Sequence, residues 1–232
     1  MGLLGQQLAH FGLWSESRHF FNPAMAGLNG QTRFIANYRN QWTGIEGRPL
    51  NMQIGASTDV PVLGIGMGTF FERENIGNRE VSTLGLHINR VLVRTENQYL
   101  RLGIRGSWRQ FTLDRNAVIT PEGIPSNPND DFINALMEPQ SISTLGIGLA
   151  GGFGSIQYGL SFQQAISISQ NVDGNYEPDD ELFIHVSYNF EINNSLHLRP
   201  RSVFYTNFSV YQWHLALEAE WNDRFIVGLG YR

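Results

Sequence analysis

The feature that most constrains this chain is alternation. Apolar and polar residues swap at every second position over segments of about ten residues or more, whereas soluble strands usually stop near 5–6. The clearest runs from Leu182 to Ile192: Leu182, Ile184, Val186, Tyr188, Phe190 and Ile192 fall on one face, and His185, Ser187, Asn189 and Glu191 fall on the other, with Phe183. In Tyr99 to Gln110, Leu100, Leu102, Ile104, Gly106 and Trp108 oppose Arg101, Gly103, Arg105, Ser107 and Arg109. In Trp213 to Trp221, the apolar Leu215, Leu217 and Ala219 oppose His214, Ala216, Glu218 and Glu220. A period of two places each set on one face of a β-strand. The longest weakly polar stretch, Val60 to Phe71, is broken by Pro61, glycines and Thr69, so no run of ~18 apolar residues exists to form a transmembrane helix.

Turn residues divide the chain into about eleven predicted strands, near 31–42, 50–59, 62–72, 79–93, 98–112, 142–152, 155–166, 181–192, 195–207, 209–221 and 224–232. Tight turns such as 192–195 and 221–224 suit up-and-down hairpins. Two connections are long, polar and rich in breakers: Asp114 to Gln140, with four prolines, and Ser167 to Asp180. Phe132 to Met137 suggests one helical turn inside the first. Met1 to Gln7 is equally compatible with an ordinary N-terminal segment and with the tail of a signal peptide. Gln6 to Phe21, with aromatics at 11, 14, 20 and 21, reads as a short helix or a plug-like stretch. The expected organisation is thus an N-terminal segment, 1–30, and a β-domain, 31–232.

Such strands can close inward, as a soluble barrel, or inside out, with apolar residues toward lipid and polar residues toward a lumen. Strand length favours the second, since a tilted membrane strand needs about 9–11 residues. So does composition: charged residues are 16% of the chain, against roughly 25% in soluble domains, and all 16 basic residues are Arg. The net charge of −5 argues against a nucleic-acid partner. With no Cys, disulfides and thiol chemistry are excluded. The six histidines show no HExxH or similar metal spacing, and no GxSxG elbow occurs. Neither an enzyme activity nor a cofactor is expected.

Other side chains invite specific roles. Arg101, Arg105 and Arg109 share one face and form a candidate lumenal basic ladder, either binding an acidic ligand or a plug carboxylate, or pairing with acids on neighbouring strands. Arg105→Leu, at a lumenal position, is expected to leave folding nearly intact. Gly64, Gly66 and Gly68, and Gly146 and Gly148, mark small-residue faces where the sheet curves or a plug approaches. Trp42, Trp108, Trp213 and Trp221 lie at or near strand ends, as an interfacial girdle requires.

Two motifs carry a family resemblance. Phe20, Asn22, Pro23, Ala24, Ala26 and Gly27 form F-x-N-P-A-x-A-G; Tyr38, Arg39, Gln41 and Trp42 form Y-R-x-Q-W, followed by Gly47 and Pro49 as G-x-P. With Asn75-Ile-Gly77 and the ending Asn222 to Arg232, the chain resembles the PorP/SprF family of type IX secretion system outer-membrane proteins. The resemblance implies an antiparallel up-and-down transmembrane β-barrel of about fourteen strands in a bacterial outer membrane. It implies partnership with other type IX secretion components. It further implies binding of the C-terminal domain of a secreted, adhesin-like surface protein, in secretion and gliding. A porin or transporter for small solutes is the alternative on the same fold. About eleven visible strands fall short of fourteen, so the barrel is expected to be incomplete, with 224–232 left unpaired against 31–42.

Overall fold

The computed structural model describes residues 17–28, 30–113, 139–169, 180–222 and 224–231. The proposed helical turn 132–137, and most of both long connections, lie outside the described residues. Twelve strands form one antiparallel sheet: β1 (Arg33–Asn40), β2 (Leu50–Val60), β3 (Ile65–Ile76), β4 (Arg79–Arg94), β5 (Gln98–Leu113), β6 (Gln140–Phe153), β7 (Ile156–Ser169), β8 (Leu182–Tyr188), β9 (Phe190–Asn193), β10 (Leu196–Thr206), β11 (Tyr211–Trp221) and β12 (Phe225–Tyr231). Strands pair in chain order except that β8 and β9 lie end to end along β10, so every other connection is a hairpin. The count exceeds the expected eleven because 181–192 divides at Asn189. The β7–β8 ladder ends where β7 begins, at Ile156 opposite Tyr188, closed by the Asn189 N–H donating to Ser155 O at 2.9 Å, and β9 then pairs with β10 alone.

The sheet is inside out. By register, Leu86, Ile104, Val186 and Leu217 stand on one face and are exposed, while His87, Asn89, Arg101, Arg105 and Ser161 stand on the other and are buried. Arg101 is 0% exposed and Ile104 is 56% exposed, three residues along the same strand. Phe183, expected among the polar residues, is indeed inward, at 2% exposure.

The sheet also curls. The short helix α1 (Arg18–Phe21) and the 3-10 turn Pro23–Met25 lie against its polar face. Ser17 Oγ accepts from Asn37 of β1 at 2.9 Å, while the Phe21 ring lies 5.4 Å from that of Phe183 on β8. Flat, seven strand spacings would separate β1 from β8 by about 34 Å. A single helical turn advances only about 5.4 Å, so the walls must wrap around the segment. The ring remains open: β1 and β12 are the two edges of the sheet and do not pair with each other.

The two ends of the cylinder differ. Hairpin order puts the connections 41–49, 114–139 and 170–181 at one end, with 77–78 and 207–210. Every connection at the other end is short, 61–64 being the longest. That short-turn rim is stitched by backbone bonds: Val91 N–H to Gly64 O (2.9 Å), Gly154 N–H to Asn97 O (2.8 Å) and Asn222 N–H to Ser195 O (2.7 Å). Exposed aromatics gather toward both ends: Tyr38, Trp42, Trp108 and Trp213 toward the long connections, Phe153, Tyr188, Trp221 and Phe225 toward the short turns.

Candidate functional site

The first motif is the segment enclosed by the sheet. Asn22 caps the 3-10 turn: its Oδ1 accepts from the Ala24 N–H at 2.9 Å. Pro23 sits first in that turn, where its missing N–H costs nothing. Asn22 Nδ2 donates to Leu149 O at 2.9 Å and to Leu160 O at 3.3 Å. Those two residues face each other across β6 and β7, so one amide bridges a seam between strands. Only a side chain with both an acceptor and two donors does this; Asp lacks the donors.

Glycines make the room. A Cβ at Gly103 would lie 2.5 Å from the Ala24 backbone nitrogen, and one at Gly148 would lie 2.8 Å from Pro23 Cδ. Real Cβ atoms do not approach so closely, so the motif's backbone occupies the space those side chains would fill. Gly66 and Gly68 likewise face Ala26. Gly146 differs: it underlies Gln163 O, beside the register shift between Leu145 and Ile147. Gly64 belongs to the turn before β3. Gly27 has φ +68°, and a Cβ there would run into the Thr58 carbonyl. Ala24 is fully buried against Met25 and Ala150, which leaves no volume for a larger residue.

Polar side chains of the wall hold the segment's carbonyls. Asn89 Nδ2 donates to Pro23 O at 3.0 Å and to Ala26 O at 2.9 Å. Asn89 Oδ1 accepts from Arg101 Nη1 at 3.2 Å, and Arg101 Nη2 pairs with Asp59 Oδ1 at 3.0 Å. The two ion-pair side chains are 0% and 3% exposed. Arg105 Nη1 donates to Phe20 O at 2.9 Å and to Gln163 Oε1, and its guanidinium lies 4.2 Å from the centre of the Phe70 ring. Gln163 Nε2 and Ser161 Oγ both donate to Phe21 O. Four carbonyls of the segment, at 20, 21, 23 and 26, thereby find donors, as buried carbonyls require. His19 packs 4.4 Å from Phe20, ring centre to ring centre. Burial, then the Arg33 and Arg105 charges, push its pKa down to about 4, so its imidazole is neutral at pH 7.

The ladder residues therefore differ from one another. Arg101 meets a carboxylate and a carbonyl, and Arg105 meets carbonyl oxygens and an aromatic face. Arg109, nearer the long connections, donates from Nε to Thr83 Oγ1 at 3.3 Å. The expectation that Arg105→Leu leaves folding intact is revised: Arg105 is 6% exposed and donates to Phe20 O and Gln163 Oε1, so Leu there leaves Phe20 O only its 3.4 Å bond from Gln163 Nε2 and takes the donor from Gln163 Oε1.

The second motif lies elsewhere, at the long-connection end of β1. Tyr38 and Trp42 are exposed on the outside. The Gln41 N–H donates to Pro49 O at 3.0 Å, closing the hairpin. Trp42 has φ 56°, and its carbonyl accepts from Ile45 at 3.1 Å. Arg39 is an inward residue of β1, half-buried. Gly47 O accepts from the Gly77 N–H at 2.8 Å, so the G-x-P element and the Asn75-Ile-Gly77 turn meet on one rim. Sequence reasoning missed Asp59, Asn89, Ser161 and Gln163. Their one visible signal was inward parity on a strand.

The family model described as type IX secretion system membrane protein PorP/SprF matches residues 3–232. The chain belongs to this family. No curated protein and no solved structure matches it. The PorP/SprF assignment makes it a membrane component of a secretion system, and among the described residues no helix is long and apolar enough to cross a bilayer. The strands cross instead. That explains why Leu86, Ile104 and Leu217 face outward while Arg101 and Arg105 are buried. In water such a wall would be one continuous apolar patch; in lipid it is matched to its solvent.

Proposed function

We propose that this PorP/SprF protein is an outer-membrane barrel, plugged by its N-terminal segment, that holds the C-terminal domain of a secreted surface protein. The observation that carries this reading is occupancy of the interior. A porin needs an open path. Here residues 17–28 lie across the lumen and bond to opposite walls, through Asn37 of β1 and Gln163 of β7. The polar interior is spent on fixing that segment, and no metal-ligand cluster occurs among the described residues. Within the N-terminal segment 1–30, residues 17–28 then act as plug, and 31–232 is the barrel domain. Asn22, Pro23, Ala24 and Gly27, with Arg101 and Arg105, form the lock. Tyr38, Arg39, Gln41 and Trp42 belong to a rim facing the cell exterior, together with the long connections. Other type IX secretion components and the cargo engage that rim.

The test is conductance in a planar bilayer. The plugged barrel gives no steady channel current with small salts. A stable open-channel current from the unmodified protein would favour the porin alternative.

A further inference from the structure

By register, three charged side chains of the described strands stand on the outer face among the apolar residues: Arg73, Glu80 and Arg90. Arg73 and Glu80 neutralise each other at 2.6 Å near the long-connection end. Arg90 is exposed, near the short-turn end of β4, opposite Ile65 on β3 and Leu102 on β5. It has no ion-pair or hydrogen-bond partner among the described residues. A lone guanidinium on a lipid-facing wall needs a counter-charge from outside the protein.

Its neighbourhood is unusual for a turn. Pro61-Val62-Leu63-Gly64 is the apolar exception among the short turns; the others carry Thr95 to Asn97, Gly154-Ser155, Asn194-Ser195 and Asn222 to Arg224. Val62 is 94% exposed and Leu63 is 59% exposed. The Val91 N–H to Gly64 O bond (2.9 Å) fixes this turn against the strand that bears Arg90. Beyond Arg90, the register shift between Val91 and Val93 leaves Leu92 exposed too. Apolar side chains around one unpaired cation, continuous with the lipid-facing wall, match the boundary between acyl chains and headgroups.

We infer that Arg90, with Val62, Leu63 and Leu92, is a binding site for the phosphate of an anionic phospholipid in the leaflet at the short-turn end. The guanidinium makes charge-assisted bonds to the phosphate oxygens, and the turn side chains sit among the first methylenes. This rests on the membrane reading of the strands, and under the orientation proposed above the leaflet is the periplasmic one.

The test is retention of lipid by the full-length protein in detergent, counted by native mass spectrometry after supplying phosphatidylglycerol or phosphatidylcholine. Wild type is expected to retain phosphatidylglycerol roughly fivefold or more above Arg90→Gln, the effect of one charge-assisted contact. Arg73→Gln, at the opposite end, is expected to match wild type. Val62→Ser with Leu63→Ser, outside the strand ladder, is expected to lower retention without altering β4. Equal retention by wild type and Arg90→Gln, in protein that still shows heat-modifiable barrel mobility, overturns the site. Equal retention of both lipids by wild type overturns its anionic preference. Loss of a co-purifying periplasmic protein from Arg90→Gln, with lipid unchanged, makes the occupant a protein and overturns it as well. If wild type does not enter bilayers at all, the membrane reading falls and the site with it.

Discussion

Breaking the Asp59–Arg101 pair tests the lock most sharply. Asp59→Leu removes the carboxylate 3.0 Å from a guanidinium that is wholly buried. The cation keeps the Asn89 and Ala26 oxygens, at 3.2 and 3.4 Å, but both are neutral. Removing one partner of such a pair costs about 3–5 kcal/mol, because an uncompensated charge is left inside. Replacing both, as Asp59→Leu with Arg101→Met, removes the charge as well and is expected to cost less than the single change. The assay is reversible urea unfolding of the folded protein in detergent, run as a double-mutant cycle. The expected result is a large single-mutant loss and a coupling of several kcal/mol. Costs below about 1 kcal/mol, as for solvent-exposed pairs, or additive effects would refute a buried lock.

Three further outcomes follow from the same geometry. Leu86→Arg or Ile104→Arg, on the outer wall in the middle of β4 and β5, is expected to destabilise the barrel by ~2–4 kcal/mol if near the bilayer midplane, read by urea titration in lipid; tolerance of both would reverse the assigned faces. Gly148→Val drives a side chain into the space of Asn22 and Pro23, so it is expected to expel the segment, open a current in planar bilayers and expose residues 17–28 to protease, while the strand ladder persists. Protease added to intact cells is expected to cut within 114–138 and to spare the short turns 194–195 and 222–224; the opposite pattern inverts the orientation.

Much of the fold was legible because a period of two is rigid: once Leu102 faces lipid, Arg101 cannot. The strand limits read as 50–59, 79–93 and 98–112 fall within a residue of β2, β4 and β5 for the same reason. The break at Asn189 was not, since it depends on where the neighbouring hairpin turns, at Gly154 and Ser155, which ends the β7–β8 ladder. The site was half legible. The motif around Asn22 and the glycines at 66, 68 and 148 stood out as small-residue signals, but their union did not, because the contacts run between residues such as Asn22 and Leu149, 127 positions apart. Asp59 offers no sequence signal beyond its place near the end of β2. Its partner, Arg101, is set by curvature that no local pattern encodes.

Purification of the protein from native membranes, with quantitative mass spectrometry of what remains bound, tests the central claim most directly. The account predicts near-stoichiometric peptides from the C-terminal domain of a secreted surface protein, together with type IX secretion components, retained when the strand wall and the segment 17–28 are intact. Recovery of the folded barrel alone, free of any secreted protein and conducting small solutes, would contradict it.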